Sequence, residues 1–429
     1  MNRFLKVLAV LIFCIFSAHL KVWAEEVLTW QDCIREAAKS HPDLIAAQES
    51  VKESEAAKQI SASTLFPQIN SNLSATTART ASGNGDTATH KTSDSYSYGV
   101  SGTQLLFDAG KTINNVKAAE QNIKASQQGY RFTSSEVRLR LRTAFVNLLR
   151  AQELVRVTND IVQIRKGNYE LITLRYESGL EHKGALLTAE ANLAQANFEI
   201  AQAKREIELT QRQLNKEMGR TGFSSLSVKA DFKVIDSAKE KPDFETLAKN
   251  NPSLQQLIAQ KNAAEFGLKS TYANFFPTLY GQAGANKSGS RWSPQNNGWD
   301  LGLTVSLPIF EGGLRLAQVS QAKALFNQLQ ANERSTRDGI IVTLAQSWAA
   351  LQDAIETVEV QYKSLGATEE RAKIAEAQYS TGFITYDNWS IIEDNLVRAK
   401  TDYLNAESNA LLTEASWIQA KGETLEYAQ

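Results

Sequence analysis

Two periodicities alternate along the chain, one suited to helices and one to strands. A proline-free stretch runs from residue 111 to about residue 176, where Leu141, Phe145, Leu148, Val155, Val162, Tyr169 and Tyr176 share one heptad seam. A second seam holds Leu154, Val157, Ile161, Ile164 and Leu171. At heptad spacing the two seams lie roughly 150° apart around a helix, so the helix must touch a neighbour on each side. A ring of helices satisfies that better than a pair. At ~1.5 Å per residue the stretch predicts a helix on the order of 100 Å long. After Tyr176-Glu177-Ser178-Gly179 the pattern turns back as a second helix, through Leu186, Leu193, Ala196, Ile200, Ala203 and Leu214. Gly179 then reads as the helix-ending residue of a tight left-handed turn, and the stretch becomes a long helical hairpin.

Elsewhere the period falls to two. Trp299, Leu301, Leu303, Val305, Leu307 and Ile309 alternate with Asp300, Gly302, Thr304 and Ser306. Tyr96, Tyr98 and Val100 alternate with Ser97, Gly99 and Ser101, Leu279 to Ala285 alternates likewise, and residues 69–76 do so more weakly. Strands of about 10 residues, apolar on one face and small or polar on the other, fit a transmembrane barrel with a wet lumen. In that arrangement Leu303 and Val305 face lipid while Thr304 and Ser306 face the lumen. A half-buried soluble sheet fits the alternation too. The connections, residues 77–95 and 287–298, are rich in Gly, Ser, Thr and Asn and read as exposed loops. Four strands cannot close a barrel, and open edges do not exist in lipid, so chains must pool their strands.

The whole pattern occurs twice. His41-Pro42-Asp43-Leu44 recurs as Asn251-Pro252-Ser253-Leu254, and Phe66-Pro67 as Phe276-Pro277, both 210 residues on. Phe107-Asp108-Ala109-Gly110 recurs as Phe310-Glu311-Gly312-Gly313, and Tyr176-x-x-Gly179 as Tyr379-x-x-Gly382, now 203 residues on. Four motifs at near-constant offset mark a duplication, with seven extra residues in one half between Phe-Pro and Phe-Asp/Glu-x-Gly. Thr29 and Asp243 suit helix starts, and Pro42 and Pro252 mark restarts. The organisation expected is a signal peptide at 1–24, helix at 25–65, a β-hairpin at 66–110, a long helical hairpin at 111–219, and a connecting segment at 220–241. Helix at 242–275, a second β-hairpin at 276–313 and a second long helical hairpin with the C-terminus at 314–429 complete it.

The signal peptide rests on Arg3 and Lys6, an apolar run from residue 7 to 17, and Val22-Trp23-Ala24 before the expected cleavage. No later run is apolar enough for a spanning helix. The 46 Lys+Arg and 47 Asp+Glu leave a net charge of -1, which gives no electrostatic case for a nucleic-acid partner. Cys14 and Cys33 are too few for a disulfide framework or a structural zinc site. Mature histidines His41, His90 and His182 stand in unrelated contexts, with no catalytic or metal motif around them. No enzyme activity and no cofactor is expected.

Export signal, duplication, paired hairpins bounded by Phe-Pro and Phe-Asp/Glu-x-Gly, and Tyr-x-x-Gly turns together resemble the TolC-like outer-membrane efflux proteins over nearly all of the mature chain. The resemblance implies a mixed α and β fold: four transmembrane strands per chain enter a trimeric 12-stranded β-barrel, continued by a long periplasmic helical barrel. It implies an outer-membrane exit duct that conducts passively from an inner-membrane pump, joined by a periplasmic adaptor in a tripartite efflux or type I secretion system. Tyr379 and Gly382 match the family's gating tyrosine and turn glycine, and Tyr176 and Gly179 the first-repeat turn. Tyr176, Tyr379 and Asp387 are therefore the candidate periplasmic gate, although each tyrosine also suits ordinary packing at a seam's end. Ser178, Gly179, Leu180, Thr381, Gly382 and Phe383 are the candidate adaptor-docking turns. The family's gate arginine is replaced by Ile384, its acidic ring falls on Asn388 and Ile391, and Gly184-Ala185 replace its threonine–aspartate pair. Closure here is expected to rest on packing and hydrogen bonds more than on ion pairs. The alternative from another class is a secreted or surface trimeric coiled-coil adhesin.

Overall fold

A computed structural model of the chain describes residues 26–82, 89–234 and 240–428; the expected signal peptide and Cys14 lie outside them. The first half comprises β1 (Glu26–Leu28), α1 (Trp30–Ser40), α2 (Pro42–Ser63), β2 (Gln68–Ser82), β3 (Thr89–Phe107), α3 (Lys111–Glu177), α4 (Lys183–Glu217) and β4 (Leu226–Val228). The second comprises α5 (Phe244–Asn250), α6 (Pro252–Ala273), β5 (Thr278–Gly289), β6 (Asn296–Ser306), α7 (Leu314–Ser380), α8 (Tyr386–Ala420) and a closing 3-10 turn, Leu425–Ala428. The duplication is exact in the longer helices: α3 and α7 have 67 residues each, α4 and α8 35, α2 and α6 22. Local chemistry sets the starts. Thr29 and Asp32 form a capping box on α1, and the Asp243 carboxylate accepts from the first-turn N–H groups of α5. His41 Nδ1 and Asn251 Oδ1 each cap a helix whose first residue is proline.

The strands form one antiparallel sheet in the order β2-β3-β5-β6. Its register joins like with like. Leu301 lies opposite Ala283, Ala283 opposite Gly102, and Gly102 opposite Ile69. Directly opposed residues share a face, so Ile69, Leu73, Tyr98, Val100, Leu301 and Leu303 line one side and Asn70, Ser101, Thr103, Gln282, Asp300 and Thr304 the other. Leu301, Leu303 and Val305 stand 78%, 72% and 66% exposed, a continuous apolar surface that nothing among the described residues covers. The connections expected at 77–95 and 287–298 are much shorter in the structure. β2 and β3 stay paired up to Ser82 and Thr89, because Ser and Thr are good strand residues on a doubly solvated ribbon and Thr77 Oγ1 donates across it to Asp94 (2.8 Å). β5 and β6 likewise pair up to Ser288 and Asn296. The seven extra residues of the first half extend this hairpin.

Four long helices lie side by side in the order α4-α3-α8-α7. Leu141, Phe145 and Leu148 of the first seam are fully buried in the main core, with Cys33, Ile34 and Leu214. Val157 and Ile161 of the second seam meet Ala196 of α4 and Leu404 of α8. The two flanks of the row stay open: Leu187, Phe198 and Leu209 on α4 and Val342, Val360 and Tyr362 on α7 are half or more exposed. Sheet edges and helical flanks thus both require neighbouring copies. Burial raises the Cys33 thiol to about 12, which leaves it an inert core residue. Between the hairpins and the sheet, β1 and β4 pair in parallel, Glu26 opposite Leu226, inside segments expected to be helical and connecting. Strands of three residues leave no periodic signal.

Candidate functional site

Both long hairpins turn at the end of the helical row far from the sheet. Gly179 and Gly382 adopt φ of +72° and +80°. Leu180 N–H donates to Arg175 O (2.8 Å) and Gly179 N–H to Tyr176 O (3.0 Å); Phe383 and Gly382 repeat this with Gln378 and Tyr379. These are Schellman turns, which satisfy the last carbonyls of α3 and α7. Ser178, Gly179, Leu180, Thr381, Gly382 and Phe383 are all exposed. The position after each glycine usually packs its side chain back on the helix. Here Leu180 is 67% and Phe383 83% exposed.

The two tyrosines differ. Tyr379 is 2% exposed, stacked on Trp389 with centroids 4.5 Å apart and planes within 8°, and edge-on to Tyr386 at 6.3 Å. Its hydroxyl donates to Glu181 Oε2 (2.7 Å), and the Arg175 guanidinium lies over its ring at 4.7 Å. Ile172, Ala185 and Ala189 from the first hairpin complete the cluster, which ties the two tips together. Burial, then the Glu181 carboxylate, push the Tyr379 hydroxyl upward, so it remains a donor at neutral pH. Tyr176, its repeat equivalent, is 38% exposed and lies outside the cluster. Asp387 is exposed in the first turn of α8.

Glu181, Arg175 and Trp389 were not singled out from the sequence. Glu181 occupies the first-repeat equivalent of Ile384, so the carboxylate stands on the opposite hairpin from the place where family matching looks for polar partners. A signal did exist for Trp389 and Tyr386, because their first-repeat counterparts are Leu186 and Lys183 and the aromatics mark the second tip alone. Among the described residues four buried side-chain polar atoms lack a partner, and three of them, Arg175 Nε, Trp389 Nε1 and Glu393 Oε2, lie near the tips. Glu393 is 5% exposed, and burial raises its carboxyl above the usual range.

An exposed apolar band on the sheet, unpaired strand edges and open helical flanks fit an outer-membrane channel. A sequence profile described as outer membrane efflux protein matches residues 33–220 and 244–423, and the chain belongs to that family. The outer membrane efflux protein BepC of Brucella suis is 20% identical over 333 residues, 76% of this chain and 69% of that protein. The outer membrane protein TolC of Escherichia coli K12 is 23% identical over 340 residues, 75% and 68%. The crystal structure of CusC superposes with a TM-score of 0.82 over 95% of each chain at 20% identity. Four transmembrane strands per chain enter a trimeric 12-stranded barrel, which a long helical barrel continues into the periplasm. The protein is an exit duct of efflux or secretion, and the adhesin alternative falls.

Proposed function

We propose that the helical tips are the closed periplasmic entrance of this duct and the docking surface for a periplasmic adaptor. The observation that carries this is the division of labour at one place: Tyr379 is sequestered between Trp389 and Glu181, while Leu180 and Phe383 project unpacked beside it. The Tyr379 cluster holds the hairpins together without an arginine at position 384. Threefold repetition brings three such clusters around the bore, and Asp387, if it faces the bore, adds a ring of carboxylates that favours cations. Adaptor contact at the turns then shifts the tips outward, at the cost of the hydrogen bond to Glu181 and the aromatic stack.

An inner-membrane pump supplies the energy, and the pump sets the cargo. Relatives of this chain carry names as different as a cation efflux protein, an alkaline protease secretion protein and a fusaric acid resistance protein, which supports a duct indifferent to what it conducts. In planar bilayers Tyr379→Ala is expected to raise single-channel conductance, and Asp387→Ala to reduce cation selectivity. Gly382→Trp is expected to abolish export with the trimer intact. Unchanged conductance in Tyr379→Ala together with normal export in Gly382→Trp would place the entrance elsewhere.

A further inference from the structure

The outward face of the sheet ends in an arrangement that the apolar band does not require. Lys287 of β5 lies opposite Tyr98 of β3 and Asn297 of β6, on the lipid-facing side, one row beyond Ala285 and Trp299. Trp299 is 81% exposed, and Trp292 on the following turn is 65% exposed and meets Tyr96 edge-on at 6.1 Å. Aromatic residues of this kind sit at the headgroup level of a bilayer. The second hairpin lacks the seven residues that carry the first one outward, by about 12 Å once they are shared between two strands at 3.3 Å per residue. Its turn, with Arg291 and Trp292, therefore stays near the interface and does not project beyond it. Neither Lys287 nor Arg291 has an ion-pair partner among the described residues. Asp94 is the carboxylate on the same face nearest in register, and Thr77 Oγ1 already donates to it.

We propose that Lys287 and Arg291, framed by Tyr98, Trp299 and Trp292, bind the phosphate of a phosphorylated outer-leaflet lipid. The cations neutralise the phosphate, and indole N–H and phenol O–H groups supply neutral donors at the same height. Apolar ring faces pack on the adjoining acyl chains. A lysine that merely snorkels to water needs neither the neighbouring arginine nor the aromatic frame. The three copies around the barrel give three sites per channel, each built on the short second hairpin.

Native mass spectrometry of the intact detergent-solubilised trimer, titrated with bis-phosphorylated lipid A and with its dephosphorylated form, tests the site. Selective retention of the phosphorylated form is expected. Lys287→Ala should weaken it about fivefold and the Lys287→Ala/Arg291→Ala double variant about twentyfold, the scale of one and two interfacial cations. Equal retention of both lipids, or unchanged retention by the double variant as an intact trimer, overturns the proposal. Displacement of the lipid by inorganic phosphate at equal concentration also overturns it, because the site would then be one for a free anion. Normal conductance of the double variant separates failure of this site from failure of the channel.

Discussion

Four helices end in the same backbone motif, a left-handed glycine closing a Schellman turn: Gly179 and Gly382 at the tips, Gly219 and Gly422 at the opposite ends of the return helices. Around them the chemistry is reversed. A Cβ on Gly219 would lie 2.4 Å from Ser40 O and one on Gly422 2.3 Å from Pro252 Cδ, whereas at Gly179 and Gly382 it would meet nothing within 4 Å among the described residues. The residue after Gly219 is Arg220, which donates to Glu36 and Glu26 at 2.5 and 2.9 Å; the residue after Gly422 is Glu423, which accepts from Arg138 at 3.2 Å. After the tip glycines stand the exposed Leu180 and Phe383. The same turn is over-determined at the ends of the return helices and under-contacted at the tips.

The largest effect expected from breaking this comparison is at Gly219. Alanine there pays the left-handed cost of about 1–2 kcal/mol and a steric cost of about 1–3 more, because Ser40 O belongs to the backbone and cannot rotate away. Gly179→Ala pays the first alone. Thermal melting of the trimer should therefore fall distinctly further for Gly219→Ala than for Gly179→Ala, and equal melting temperatures would dissolve the distinction.

Next comes Phe383→Asp. The variant should leave melting within about 0.5 kcal/mol of the parent, as for a surface position, while docking loses about 2 kcal/mol or more, as at an interface anchor. Co-purification with a cognate adaptor reads the second quantity. A smaller effect separates the two tyrosines. Tyr379→Phe removes a buried hydrogen bond to Glu181, worth about 1 kcal/mol, and should raise the open fraction of single channels. Tyr176→Phe should change neither conductance nor melting.

Periodicity made most of the fold legible, because long helices and alternating strands repeat their signal over many residues. Leu141, Phe145 and Leu148 were readable as core, and so were the two faces of β6. What escaped had no repeating signal. The β1–β4 pair is three residues long, and the Ser/Thr ribbon of the first hairpin has a loop's composition with a strand's geometry. The left-handed turns at the tips were legible from Tyr-x-x-Gly, since left-handed glycine is a local property. The Glu181–Tyr379 contact was not, because its partners stand 198 residues apart on different hairpins and nothing in either segment names the other.

The smallest effect expected is also the one in which the two regions should respond in opposite directions. Glu393, near the tips, has its carboxyl raised chiefly by burial; Glu376 of α7 and Asp394 beside it push the same way, while Asn168 and Arg165 of α3 oppose. A raised folded-state value means that its stabilising contribution is complete below the unfolded value near 4.5 and is lost as pH rises through the folded value. Glu426, at the other end, also suffers burial, but hydrogen bonds from Thr424, Ser134 and Tyr130 outweigh it and hold its carboxyl below 4.5. Its contribution is present above the unfolded value and lost as pH falls through the folded one. Acidification should thus tighten the tips while loosening the attachment of the C-terminal turn to α3. Closed-state occupancy in planar bilayers should rise as pH falls through the raised Glu393 value toward 4.5, and Glu393→Gln should flatten that dependence by keeping the tips in their neutral form. Glu426→Gln should instead flatten the acid limb of the trimer's melting curve and leave gating unchanged. An undiminished pH response of conductance in Glu393→Gln would show that the buried carboxyl is only a packing residue, and that closure rests on Tyr379, Trp389 and Glu181 alone.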